Sequence, residues 1–307
     1  MNITPDLYNN CNYLQQRDGK RLIQRIVDDF PDKHFNTIVD LGCGTGNITN
    51  ELATKLSHQS IIGVDISEPM IKFAAENYRR PTVQYLAADI CDEWPKFKDK
   101  LQLAEHSVDL IVSIYCLHWV SDLDETIKNI IKLLKPGGYC YILLFSWSDL
   151  LPIQQKMAIM DKWQQYFFAI PKNWNRIAKK SRETIRKLSE HLAPFPVFEA
   201  PDEQQLLAKW RDLCRDNGLH EPETVLTHTY YQFANHQQFN NVLQAMCHFL
   251  PYIPDDQTAD FMAEYLQLVN DDYISKQLLN GKLVQTTNET PVRLNYDHMI
   301  VVTHIPV

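Results

Sequence analysis

The chain has 307 residues, 45% hydrophobic and 22% charged, a balance that excludes intrinsic disorder and suits one large domain or one with an insertion. Thirty Lys and Arg against 38 Asp and Glu leave a net charge of −8, so bulk attraction to nucleic acid is not expected and the partner to look for is a small molecule. Seven cysteines at 11, 43, 91, 116, 140, 214 and 247, never spaced C-x-x-C, favour neither a disulfide framework nor zinc and fit a reducing compartment. The eleven histidines show no ligand spacing, so no metal is expected. The N-terminus MNITPDLYNN has no basic leader or apolar core, so no signal peptide is expected. The longest uncharged runs, 110–121 and 136–148, fall short of the roughly 20 residues that span a bilayer. These features predict a soluble, cytoplasmic protein.

In chain order, TIVDL (37–41) reads as a short buried strand, and NITNELATKL (47–56) as a helix with apolar residues at 48, 52, 53 and 56. SIIGVDI (60–66) is a second strand, followed by a helix over 68–78 with Ser67 as its cap. VQYLAAD (83–89) is a third strand, and 91–107 a charged loop with a short helix. VDLIVSIYCLHW (108–119) is apolar throughout, which predicts a central strand covered on both faces. An amphipathic helix over 122–134 stops at Lys135-Pro136-Gly137-Gly138, and YCYILLFS (139–146) is the fifth strand. Strands alternating with helices predict parallel crossovers and a doubly wound sheet. Residues 150–192 hold no strand-like run; Trp147, Trp163, Tyr166, Phe167, Phe168 and Trp174 predict a helical insertion with an apolar face. A helix over 202–218, a strand over 224–233, helices over 235–279 broken at Pro251 and Pro254, and a last strand over 293–305 complete the pattern. The expected organisation over 1–307 is a single domain. A helical cap (1–30) precedes a cofactor-binding half (31–149), lid insertions occupy 150–200 and 235–290, and 201–234 with 291–307 finish the sheet.

Three of only nine glycines alternate at Gly42, Gly44 and Gly46, between a strand and a helix. Such a turn lets a ligand approach the backbone and aims amide groups at it. Acids end three consecutive strands: Asp40, Asp65 and Asp89. In an open α/β sheet these ends line one crevice. Asp65 is placed to accept from two ribose hydroxyls, while Asp89 and Ile90 could flank a purine with Ile66 on its face. A dinucleotide fingerprint needs a third glycine where Asn47 stands. Asp40 puts negative charge where a pyrophosphate is unwelcome and an ammonium is favoured. S-Adenosylmethionine (SAM), with an ammonium and a sulfonium, fits better than NAD.

VDLGCGTGN, GVDIS, AADI and LLKPGGY resemble, in order, the motifs of the class I SAM-dependent methyltransferases over about residues 35–145. The resemblance implies a seven-stranded, mostly parallel, doubly wound Rossmann-like sheet whose last strand is antiparallel. It places Asp40, Gly42, Gly44 and Gly46 around the methionine part of SAM and Asp65 at the ribose, with Cys43 and Ile66 also in the cofactor set. Asp89 and Ile90 fall at the adenine, and Ser113 is also in the cofactor set. Ser113-Ile114-Tyr115-Cys116 stands where enzymes acting on base amino groups show Asn-Pro-Pro-Tyr. DLYNNCNYLQQRD (6–18) and SIYCLHWV (113–120) are similar to the arthropod juvenile hormone acid (farnesoic acid) O-methyltransferases. That resemblance implies esterification of a hydrophobic carboxylic acid, with Gln15 and Trp119 holding its carboxylate. Arg17 reaches the SAM carboxylate or pairs with Asp18. His118 is a base for a phenol or a packing residue, and Tyr115 a pocket wall or core. Rival readings are a methyltransferase of another small acid or a phenol, a non-catalytic SAM-binding protein, and an NAD-dependent dehydrogenase.

Overall fold

The structure is a computed structural model describing residues 4–120, 122–168, 202–247, 249–276, 278–279, 282–283 and 287–307. The expected insertion beyond residue 168, with Trp174, lies outside them. Two helices, α1 (Pro5–Cys11) and α2 (Tyr13–Asp29), precede β1 (His34–Leu41), α3 (Asn47–Lys55), β2 (Ser57–Asp65), α4 (Glu68–Asn77) and β3 (Val83–Ala87). Next come α5 (Trp94–Leu101), β4 (Val108–Ile114), α6 (Leu123–Leu133), β5 (Leu134–Ser148), α7 (Leu151–Ile159) and α8 (Gln164–Phe168). The remainder supplies α9 (Glu203–Asp216), β6 (Glu223–Phe233), α10 (His236–Ala245), α11 (Thr258–Asp272) and β7 (Val292–His304).

Seven strands form one sheet in the order β3-β2-β1-β4-β5-β7-β6. The pairs β3-β2, β2-β1, β1-β4 and β4-β5 are parallel. The last strand runs the other way: Gly137, early in β5, bonds Ile305, just past β7, while Asp149, just past β5, bonds Asn295. Alternate residues of each central strand face opposite layers, as a period of two requires. Ile38, Ile61, Leu110 and Val112 pack with Leu22, Ile23 and Ile26 of α2 and Leu52 of α3. Val39, Ile62 and Ile111 pack on the other side with Phe97 of α5 and Ile127 and Ile130 of α6. All seven residues of β4 are buried, so the expected central strand is present. It is shorter than its apolar run suggests, ending at Ile114 rather than at residue 119. Ser67 also departs from expectation: it sits at the N-cap of α4, but its side chain makes no capping bond, and Pro69, the second residue of the helix, has a pre-set φ.

The chain divides into two compact units. One comprises Thr4–Phe145, Asp202–Thr227 and His298–Val307; the other is drawn from the described parts of Ser146–Pro201 and His228–Asp297. The second unit packs on aromatic anchors. Trp163 is fully buried, meets Phe261 edge-on at 5.1 Å and donates its indole N–H to Glu264. Gln154 of α7 donates to the buried Tyr265 hydroxyl at 3.2 Å, and Lys156 pairs with Asp272 at 2.5 Å.

Candidate active site

The chain must reverse at the end of β1 to begin α3, and the glycines allow it. Gly42 has φ +80° and Gly46 φ +84°, a region that residues with a Cβ disfavour. Gly42 is constrained a second way, because a Cβ there would lie 2.2 Å from Cys116 Sγ. The turn's amides point into the protein. Gly42 and Cys43 donate to the Val64 carbonyl at 2.7 and 3.0 Å, and Gly46 donates to Cys43 at 3.0 Å. Gly44 donates to Asp65 Oδ2 at 2.9 Å. The expectation that these amides serve a ligand is therefore corrected: buried N–H groups need partners, and the end of β2 provides them. What the turn offers a ligand is a backbone free of side chains.

Asp40 is buried and accepts the Thr49 hydroxyl at 2.6 Å. Burial pushes its carboxyl up to about 7; the Thr49 bond opposes this and the nearby Asp65 charge adds to it. Asp65 accepts the Ser67 amide on Oδ1 at 2.9 Å, and burial raises its own pKa against the pull of its amide donors. After burial, the Asp65 charge is also the next largest influence raising Tyr8, Cys43 and Cys116. The Asp65 charge is thus felt across a poorly solvated crevice, where a cation beside it is favoured. Beside it Ile66 is 67% exposed, an apolar surface that the described residues leave uncovered. Asp89 accepts the Cys91 amide at 2.9 Å.

Two expected contact residues are placed otherwise. The Ile90 side chain is buried in the core and its carbonyl accepts from Asn129 at 3.0 Å. Ser113 is fully buried, its hydroxyl donating to the Leu41 carbonyl at 2.9 Å. Cys43 is buried against Gly63, whose Cβ would lie 3.1 Å from the thiol.

A cavity of about 20 Å³ lies over the turn, lined by Tyr8, Asn12, Gln15, Asp40, Gly42, Cys43, Asn47, Ile48 and Ile114. Gln15 therefore reaches the cofactor turn from α2. Asn47 has its amide nitrogen buried with no acceptor among the described residues. A larger cavity of about 210 Å³ lies in the second unit, lined by His236, Asn240, Gln267, Asn270 and others; its carboxamides offer no counter-charge to a sulfonium.

Beyond β4 the chain turns sharply. Tyr115 has φ +51°, a conformation costing a side-chain-bearing residue about 1–2 kcal/mol. The Trp119 amide closes the turn on Cys116 at 2.8 Å. Tyr115, His118, Trp119 and Phe145 form a chain of rings: His118 lies 6.2 Å from Tyr115, 4.7 Å from Trp119 and 6.1 Å from Phe145. Trp119 thus stands on this turn and not in the strand. Arg17 pairs with Asp18 at 2.8 Å. Tyr8, Asn12, Asn47, Asp18 and Cys116 were not expected here. Asn47 had a signal as the residue that replaces a fingerprint glycine; Tyr8, Asn12, Asp18 and Cys116 lie in the segments 6–18 and 113–120, and tertiary contacts bring them here.

Residues 39–142 match the family described as a methyltransferase domain, and the sheet order and glycine turn agree. The protein is a SAM-dependent methyltransferase with a Rossmann-like methyltransferase fold, and SAM is its cofactor. Among named proteins it is similar to the juvenile hormone acid O-methyltransferases of Drosophila melanogaster and Bombyx mori. The first is 23% identical over 283 residues, covering 90% of this chain and 84% of the relative. The second is 23% identical over 269 residues, covering 87% and 86%. In fold it is similar to the YcgJ protein from Bacillus subtilis, with a TM-score of 0.52 and 14% identity over 94% of this chain and 99% of that one.

The residues present suit SAM. The Asp65 carboxylate would favour a positive charge, the buried Asn47 amide has no acceptor among the described residues, and Ile66 presents an exposed apolar surface.

Proposed function

We propose that the protein esterifies the carboxylate of a hydrophobic acid, of the farnesoic or juvenile hormone acid type. The observation that carries this reading is that Gln15 lines the small cavity over the glycine turn, with Trp119 on an aromatic turn whose Cys116 lies against Gly42. The likeness to two acid O-methyltransferases over most of the chain supports it.

Asp40 and Asn47 hold the amino-acid end of SAM, Asp65 the ribose, and Ile66 with Asp89 the adenine. Bound SAM supplies an electrophilic methyl group on a sulfonium. A carboxylic acid is already ionised near pH 7, so no residue of this chain would need to act as a general base toward it. The Gln15 amide and the Trp119 indole N–H donate to that carboxylate and orient it. Orientation of this kind is worth up to ~7–11 kcal/mol of barrier. His118 then needs no proton role and packs between Tyr115 and Trp119. The aromatic rings give the chain of an isoprenoid acid apolar surface, each Å² buried contributing about 25 cal/mol.

Methyl-labelled SAM incubated with isoprenoid, fatty and polycarboxylic acids should label the isoprenoid ester most efficiently. Trp119→Phe should lower kcat/KM for that acid about 10–100-fold, the worth of a hydrogen bond to a charge, with affinity for the demethylated product S-adenosylhomocysteine (SAH) unchanged. Unchanged kinetics would refute the anchoring role of Trp119.

A further inference from the structure

Asp18 lies on α2 three residues after Gln15, so the two side chains share one face of the helix. The Asp18 side chain is 1% exposed, and Arg17 and Arg21 approach its Oδ1 at 2.8 and 3.4 Å. Its Oδ2 accepts the Tyr115 hydroxyl at 3.0 Å, with His298 Nδ1 3.9 Å away. A buried carboxylate so neutralised is a fixed point, because losing any partner exposes the desolvation penalty of the rest.

Tyr115 in turn is held at both ends. Its backbone N–H donates to the Leu143 carbonyl at 2.8 Å, and its φ of +51° persists against local preference. Its ring meets His118 edge-on, interplanar angle 85°, and His118 packs on Trp119 at 4.7 Å.

We infer that Asp18 and Tyr115 are a positioning pair: their hydrogen bond ties the helix bearing Gln15 to the turn bearing Trp119 and so sets the separation of the two donors. The inference rests on the proposal that those donors hold the acid carboxylate. Neither Asp18 nor Tyr115 touches the reacting atoms; each acts through its neighbour. Donors that must meet one carboxylate tolerate little displacement, which explains why a strained tyrosine stands at the end of β4.

The test is a double-mutant cycle with Tyr115→Phe and Trp119→Phe, using farnesoic acid as the probe substrate. Tyr115→Phe should lower kcat/KM at least 10-fold in the wild-type background and less than 3-fold when Trp119 is already Phe. SAH affinity should change less than 3-fold throughout. A loss of equal size in both backgrounds, a loss matched by an equal loss of SAH affinity, or no loss would overturn the inference. If Tyr115→Phe does not fold, Asp18→Asn takes its place in the cycle with the same expected outcome. Failure of the underlying proposal looks different: wild-type protein that binds SAH and methylates no carboxylic acid removes both.

Discussion

In the sheet unit β4 is buried at every position, and the turn after β1 accommodates no added side chain at Gly42, where a Cβ would fall on Cys116. In the helical unit the packing instead rests on a few large rings, Trp163, Phe239, Phe261 and Tyr265, all fully buried. The two solve different problems. A turn that must bring backbone to a ligand admits only glycine at fixed spacing, so its chemistry is written in the sequence. Aromatic packing tolerates exchange of size and position among apolar residues, so it specifies a surface without a motif.

The first way to sharpen the contrast is to remove an anchor from the helical unit. Trp163→Ala should destabilise that unit by about 3–5 kcal/mol, seen as an earlier unfolding transition, while SAH binding to the sheet unit persists at 20 °C. Loss of SAH binding at that temperature would show that the units do not behave separately.

A smaller loss of stability with a larger loss of function is expected from Gly42→Ala. The positive φ and the 2.2 Å approach to Cys116 together should cost about 2–4 kcal/mol and abolish SAH binding. Wild-type affinity in calorimetry would contradict the role given to this turn.

The smallest effect concerns pH. Asp40 has its carboxyl raised to about 7 by burial, above its unfolded value near 4. Between those values the folded protein binds the extra proton, so Asp40 contributes stability at low pH that is lost as pH rises through about 7. Melting temperature measured from pH 5 to 8 should fall, with a slope from this group of at most ~1.4 kcal/mol per pH unit. The Asp40→Asn variant should show a shallower slope; an unchanged slope would remove Asp40 as its source.

The same contrast explains what could be read from the sequence. The strands of the cofactor half, the glycine turn and the strand-end acids Asp40, Asp65 and Asp89 carry local patterns, and the turn and the acids fall at the C-terminal ends of the adjacent parallel strands β1, β2 and β3. Ile90 and Ser113 carry the same local signature, yet one is core and the other bonds Leu41; which side of a strand end faces the crevice depends on neighbouring strands. The apolar run after β4 suggested a longer strand because hydrophobicity alone does not reveal a left-handed residue, and Tyr115 adopts that conformation under the hold of Leu143 and Asp18. Tyr8 and Asp18 reach the site through helices far from it in sequence, a tertiary fact without a periodic trace.

The central claim is that the crevice over Gly42 and Gly44 binds a sulfonium cofactor through its acids. Titration calorimetry of the wild-type protein and Asp65→Ala with SAM and SAH tests it most directly. The account predicts saturable binding of both by the wild type and a ~10–100-fold weaker affinity in the variant, the worth of hydrogen bonds to a charged acceptor. Folded wild-type protein that gives no heat with either ligand, or that binds NAD instead, would contradict it.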